Sequence, residues 1–368
     1  MMSALFKELY SKKFYDFFAQ ACNEILSDFD TQKFTALIFC EQFDGYEFKQ
    51  RVSHTTTVLH QFMPEQFEQA AKLILTLVKH FEDLGVKADS LEYLFLPEYI
   101  ERYGINEYRS AVSAFEVITP FITCEFAVRP FIVKYEQQML EQMILWTTHK
   151  NNRVRRLASE GSRPRLPWGI ALTSLKKEPA PLLTIFDQLK EDECELVRRS
   201  VANSINDIAK DNPDFVIRFA REHYGKSKNT DKLIKHACRT LLKKGNPDVL
   251  ELFGFDSRDI NISEFCLKQP VIVIGSELEF TFSIQNRSSL SKKLRLEYGI
   301  YYQKNNGNLS RKVFKISERN IRPDEIYSVT RKQSFKVVTT RKLYSGAHQV
   351  SLIVNGREFE ILDFELIE

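Results

Sequence analysis

Apolar positions in the first two-thirds of the chain recur at helical spacing. Phe67, Ala70, Ala71, Ile74, Leu77, Val78 and Phe81 form one stripe at i, i+3, i+4 and i+7, and Gly85 supplies the left-handed residue that ends such a helix. Similar stripes lie near 15–26, 109–119, 136–146, 182–190, 194–209 and 231–243. Turn signals separate them at Leu96-Pro97-Glu98, Asn212-Pro213-Asp214 and Gly245-Asn246-Pro247-Asp248. Beyond residue 257 the period changes to two. Leu278–Ile284, Leu294–Tyr298 and Gln349–Val354 alternate apolar with polar, and Asn305–Asn308, Arg322–Asp324, Ser345-Gly346 and Asn355-Gly356 punctuate them. Asn355-Gly356 predicts a tight two-residue hairpin. The pattern is mainly α over 1–257 and all-β over 258–368.

A weak internal repeat refines the helical part. Val154-Arg155-Arg156 and Val197-Arg198-Arg199 lie 43 residues apart, and Leu233–Arg239 resembles both. Periods near 40 residues predict a HEAT-like α-solenoid, in which stacked units cover one another's apolar faces. About seven short strands in the remainder fit an immunoglobulin-like β-sandwich, without the Cys pair and buried Trp of antibody domains.

At 368 residues the chain exceeds what one core usually supports, which agrees with two domains. No apolar run reaches the roughly 20 residues that span a bilayer, so no membrane association is expected. The N-terminal stretch carries charges throughout, unlike a signal peptide, and a cytoplasmic location is expected. Cys22, Cys40, Cys124, Cys194, Cys238 and Cys266 are scattered without Cys-x-x-Cys pairing, so neither metal nor cofactor is expected. Charge is unevenly distributed. Residues 1–150 hold 14 Lys and Arg against 21 Asp and Glu, whereas 151–255 hold 20 against 14. That basic block is either a footprint for a polyanion or a solvated face.

The chemistry concentrates at 153–168. On a helix, Arg153, Arg156 and Glu160 project within about 60° of one another. The helix should end at Glu160-Gly161, because Pro164 and Pro167 bar any regular continuation. The result is a stiff loop carrying Arg163, Arg165 and Trp168 beside a carboxylate. Guanidinium forks suit phosphates, and an exposed indole offers a flat face to a base or a cation. The plainer alternative is a surface ion pair of Arg156 with Glu160, and Trp168 plugging the core beneath the loop.

Arg153–Trp168 resembles the signature segment of the AlkC branch of HEAT-like-repeat alkylpurine DNA glycosylases, as do Glu125–Phe131 and Val197–Asp211. The likeness covers about residues 1–255, and some members of that branch carry an immunoglobulin-like domain after the solenoid. The resemblance implies a monofunctional enzyme that removes cationic methylated bases, 3-methyladenine and 3-methylcytosine, from DNA without deep base flipping. It implies Glu125, Glu160 and Asp207 as catalytic carboxylates and Trp168 as the lesion-facing aromatic residue, with Arg156 as a phosphate or carboxylate partner. Arg163 and Arg165 join the DNA-binding set from the loop reading above. Alkylated double-stranded DNA is the expected partner of a monomer with no obligate protein partner. A non-catalytic HEAT-repeat DNA-binding protein and a protein–protein scaffold are the competing readings. Basic pairs in the sandwich (Lys292-Lys293 with Arg295, Arg311-Lys312, Arg331-Lys332, Arg341-Lys342) are either a DNA flank or a solubilising surface.

Overall fold

A computed structural model describes residues 6–26, 28–337 and 342–368, and Arg341 lies outside them. The chain divides into two compact units, residues 1–237 and 238–368.

The first unit is helical: α1 (Lys12–Ile25), α2 (Thr31–Ile38), α3 (Phe48–His60), α4 (Phe67–Asp83), α5 (Phe95–Gly104), α6 (Tyr108–Ile118), α7 (Val128–Trp146), α8 (Asn152–Gly161), α9 (Thr173–Lys177), α10 (Leu183–Leu189), α11 (Glu195–Ile208), α12 (Pro213–His223) and α13 (Lys228–Ala237). The stripe at 67–81 buries Ala70, Ala71, Ile74, Leu77, Val78 and Phe81, as its spacing requires. Helix α4 closes with Gly85 at φ 79°, and Val86 N–H reaches back to the Phe81 carbonyl at 2.9 Å. Phe18 anchors the amino-terminal core, its ring 5.1–5.6 Å from those of Phe34, Phe81 and Phe95. Further on, α11 packs between α8 and α13, so the two Val-Arg-Arg segments open neighbouring stacked helices. The Ser159 and Ser200 hydroxyls meet across them at 2.6 Å.

Two expectations need correction. Leu96-Pro97-Glu98 is not a turn but the first turn of α5, where the missing proline N–H has no intrahelical partner to lose. The stripe at 136–146 is the second half of a longer helix: α7 kinks at Glu136, whose φ of 24° and ψ of −92° are non-helical. At both Asn-Pro-Asp signals the proline opens a helix, and Asn246 caps the second of these, Pro247–Leu252, by accepting from Val249 N–H at 3.1 Å.

The second unit begins with α14 (Arg239–Lys243) and α15 (Pro247–Leu252) and continues, among the described residues, as eight strands. These are β1 (Ile260–Leu267), β2 (Val271–Val273), β3 (Glu277–Asn286), β4 (Lys292–Gln303), β5 (Leu309–Ile321), β6 (Ile326–Ser334), β7 (Gly346–Val354) and β8 (Arg357–Ile367). Sheet order is β1-β3-β6 in one layer and β2-β8-β7-β4-β5 in the other. Leu278, Phe280, Phe282 and Ile284 of β3 and Leu294, Leu296, Tyr298 and Ile300 of β4 share the core between them. Asn355 and Gly356 form the predicted hairpin, with φ of 48° and 76° as a type I′ turn demands. The buried Asn355 amide also bonds the Arg295 N–H and the Asp256 and Lys293 carbonyls, at 2.7, 2.7 and 3.0 Å.

Candidate active site

Helix α8 supplies the centre of the site. The Asn151 side chain caps it by accepting from Arg153 N–H at 2.8 Å. Gly161 ends it where a Cβ would stand 2.6 Å from Val128 Cγ2, so α7 and α8 approach closely only with glycine here. This contact puts the residues just before α7 beside the α8 side chains.

The three expected carboxylates then fall on one ladder of alternating charge. Arg156 Nη1 lies 2.9 Å from Glu125 Oε2, and Arg156 Nη2 lies 3.7 Å from Glu160 Oε1. Arg163 Nη1 reaches the same Glu160 oxygen at 2.6 Å, and its Nε and Nη2 both reach Asp207 Oδ2 at 2.9 Å. Lys210 stands at the far end, 3.5 Å from Asp207 Oδ1, and the Thr123 hydroxyl donates to Glu125 Oε2 at 2.9 Å. Arg163, Glu160 and Asp207 are buried, their side chains only 9, 7 and 4% exposed. Burial would lower the Arg163 pKa, but Glu160 and Asp207 outweigh it and hold the guanidinium above its ordinary value. An apolar core of equal volume is often as stable as a buried charge network, so such a ladder calls for another use.

The remaining expected residues lie on the loop after the ladder. Arg165 is half-buried, and Asp211 holds it in a fork of 2.8 and 2.6 Å. Trp168 is 63% exposed with φ at 67°, so it does not plug the core. A non-glycine residue in the left-handed region is strained by about 1–2 kcal/mol, and such strain gathers at functional sites. The indole meets the Phe6 ring edge-on at 6.2 Å, and its backbone carbonyl accepts from Lys49 Nζ.

One residue that supports the site escaped the sequence reading. Arg129 of α7 is fully buried and donates Nη1 to the Gly161 carbonyl at 2.8 Å and Nε to the Ile170 carbonyl at 2.7 Å, with Nη2 also on Ile170. It thus ties the end of α8 to the loop beyond Trp168. Burial first, and then Arg163, push its pKa down to about 10, while Asp207, Glu125 and Glu160 pull it up. A lone arginine in the apolar run Phe126–Phe131 was the available signal.

Comparison with known proteins bears on this geometry. Residues 105–241 match the family described as DNA alkylation repair enzyme, and 261–368 match the C-terminal Ig-like domain of the uncharacterised protein YhaZ. The solved structure of Pseudomonas fluorescens alkylpurine DNA glycosylase AlkC, bound to DNA containing an abasic site analog, superimposes with a TM-score of 0.93. The two share 31% identity, over 99% of each chain. This chain belongs to the AlkC branch of the DNA alkylation repair family. The uncharacterised YhaZ of Bacillus subtilis is 40% identical over 98% of this chain and 99% of its own length. Both AlkC and YhaZ thus match across helical and sandwich parts together, and the fold is the HEAT-like solenoid followed by an Ig-like domain. Among the described residues, no helix is long and apolar enough to cross a membrane.

Proposed function

We propose that this member of the AlkC branch is a monofunctional DNA glycosylase. It hydrolyses the N-glycosidic bond of cationic alkylated bases, 3-methyladenine and 3-methylcytosine, in double-stranded DNA, and so starts base excision repair. The observation that carries the reading is the ladder that joins Glu125, Glu160 and Asp207 through Arg156 and Arg163, next to an exposed and strained Trp168.

The chemistry derives from the charge on the base. A base methylated at N3 is already positive, so its bond to the sugar needs no general acid. The C1′–N bond breaks, the bonding pair goes to the base and neutralises it, and positive charge develops on the sugar. A fixed carboxylate stabilises that charge, and preorganised groups of this kind are worth about 10²–10³ in rate. A second carboxylate orients water, which adds to C1′ as the carboxylate takes its proton, the logic of glycoside hydrolysis. Arg156 and Arg163 hold the carboxylates in register. Trp168 offers its face to the sugar or the cationic base, and Arg165 exchanges Asp211 for a phosphate. The scheme uses no metal or cofactor and needs no deep base pocket. The protein acts in the cytoplasm as a monomer. The helical unit carries the chemistry, and Arg311-Lys312 and Arg331-Lys332 of the sandwich flank the DNA; Lys292 and the buried Arg295 do not, because they are engaged in ion pairs with Asp256, Glu297 and Glu318.

The test is chromatography of bases released from methylated DNA by the wild type, Glu160→Gln and Asp207→Asn, each checked for folding by circular dichroism. The wild type should release 3-methyladenine, and the variants should lose about 10²-fold or more. A folded wild type that releases no base ends this reading. Strongly salt-dependent DNA binding without base release would favour the non-catalytic alternative.

A further inference from the structure

Beside the ladder lies a cavity of about 310 Å³, bounded by α3, α5, the start of α7 and the Trp168 loop. None of the five ladder residues lines it. Its size is at the lower end of the roughly 300–1,000 Å³ of small-molecule sites, enough for one heterocycle. Phe48, Phe126 and Trp168 give it aromatic walls, and three charged groups face it: Lys49, Glu98 and Glu101.

Two of those charged groups are already engaged. Lys49 Nζ donates to the Trp168 carbonyl and lies 5.9 Å from the Phe126 ring centroid, and Glu98 pairs with Arg102. Glu101 differs. Among the described residues it makes no hydrogen bond or ion pair, although it is half-buried in the wall. A cavity with aromatic walls and one uncommitted carboxyl has the chemistry to hold a planar, hydrogen-bonding heterocycle.

We propose that this cavity binds a free purine base, its plane against the aromatic walls and its amidine edge on the Glu101 carboxyl. A neutral carboxyl offers one O–H donor and one C=O acceptor, which complement the ring nitrogen and exocyclic N–H of an adenine. An ionised carboxylate offers acceptors only. Burial, and then Glu98, push the Glu101 pKa up to about 7, with Arg102 opposing. Among the described residues, Lys49 is the other charged group of the wall. Near pH 6 the carboxyl is therefore mostly neutral, and by pH 8.5 it is ionised. The base leaving the ladder is neutral once it has taken the bonding pair, so the cavity receives the excised base. Only this last step, the source of the base, rests on the glycosylase reading.

The experiment is calorimetric titration of the full-length protein with 3-methyladenine and with adenine, at pH 6 and pH 8.5. Tryptophan fluorescence gives a second readout: of the two tryptophans, Trp168 is 63% exposed and Trp146 only 1%. Wild-type affinity should fall roughly tenfold or more between the two pH values. Glu101→Gln, whose amide keeps one donor and one acceptor, should bind both bases with little pH dependence. Glu101→Leu should lose binding while remaining folded. The inference is overturned if the wild type binds neither base, if Glu101→Leu binds as the wild type does, or if the pH dependence survives in Glu101→Gln. Base binding without excision from methylated DNA would sink the glycosylase reading and leave the cavity assignment standing. Excision without binding would do the reverse.

Discussion

Arg129→Met tests whether the buried guanidinium braces the loop of the candidate site. The substitution keeps most of the side-chain volume and removes every donor to the Gly161 and Ile170 carbonyls. The buried Gly161 carbonyl left without a donor costs about 1–3 kcal/mol and the part-buried Ile170 carbonyl, on an exposed residue, about 1 kcal/mol, so the gross loss is about 2–4 kcal/mol. Part of this returns, because burial and the neighbouring Arg163 already disfavour the Arg129 cation. A net destabilisation of about 1.5–3 kcal/mol remains. For a unit of residues 1–237, each kcal/mol shifts the midpoint by about 2–4 °C, so thermal unfolding should come roughly 3–12 °C earlier. Well below that midpoint, the emission of Trp168 should change and base release should fall, because Ile170 is no longer held. Arg129→Lys, which keeps the charge but not the fork, should lie between the two proteins. A midpoint within about 2 °C of the wild type, with unchanged emission, would falsify the bracing role.

Strain and titration give two further outcomes. Trp168→Gly relieves a left-handed residue worth about 1–2 kcal/mol and loses little buried surface, so the thermal midpoint should hold or rise while base release drops by roughly tenfold or more. A variant with normal release would remove Trp168 from the site. Glu101→Gln should alter stability in a pH-dependent way. The folded pKa of Glu101, about 7, lies above its ordinary 4.5, so this group's stabilising contribution is full below pH 4.5 and is lost as pH rises through 7. The glutamine variant should therefore be more stable than the wild type at pH 8, by on the order of 2 kcal/mol, and nearly equal to it at pH 4. Paired calorimetric scans at the two pH values check this, and an equal difference at both would refute it.

The elements most legible in the sequence were those whose local signal and tertiary role coincide. Helix α4 carries a full stripe and a left-handed glycine stop, and Asn355-Gly356 carries the turn chemistry its hairpin requires. The turn assigned to Leu96–Glu98 failed because proline marks the first turn of a helix as readily as a loop. The helix α3 gave no clean stripe, since its buried face includes Arg51, Thr55 and Thr56. In the site, helical spacing brought Arg156 and Glu160 to one face of α8. The link to Asp207 could not be read the same way, because it depends on how α11 stacks on α8. Glu101 was invisible for a similar reason: its character comes from burial and from Glu98, not from a motif.

The ladder also limits what changes of length the solenoid can absorb. In a stacked array stability is nearly a sum over neighbouring units, so a unit can in principle be gained or lost without disturbing distant ones. Here ion pairs run from Glu125, just ahead of α7, through α8 and its following turn to Asp207 near the end of α11. That span therefore behaves as a single gauge block, its internal spacing fixed by its own ion pairs. Duplication or deletion of a helical pair beyond α11 leaves the ladder intact, whereas the same event between Glu125 and Asp207 breaks the spacing of the carboxylates.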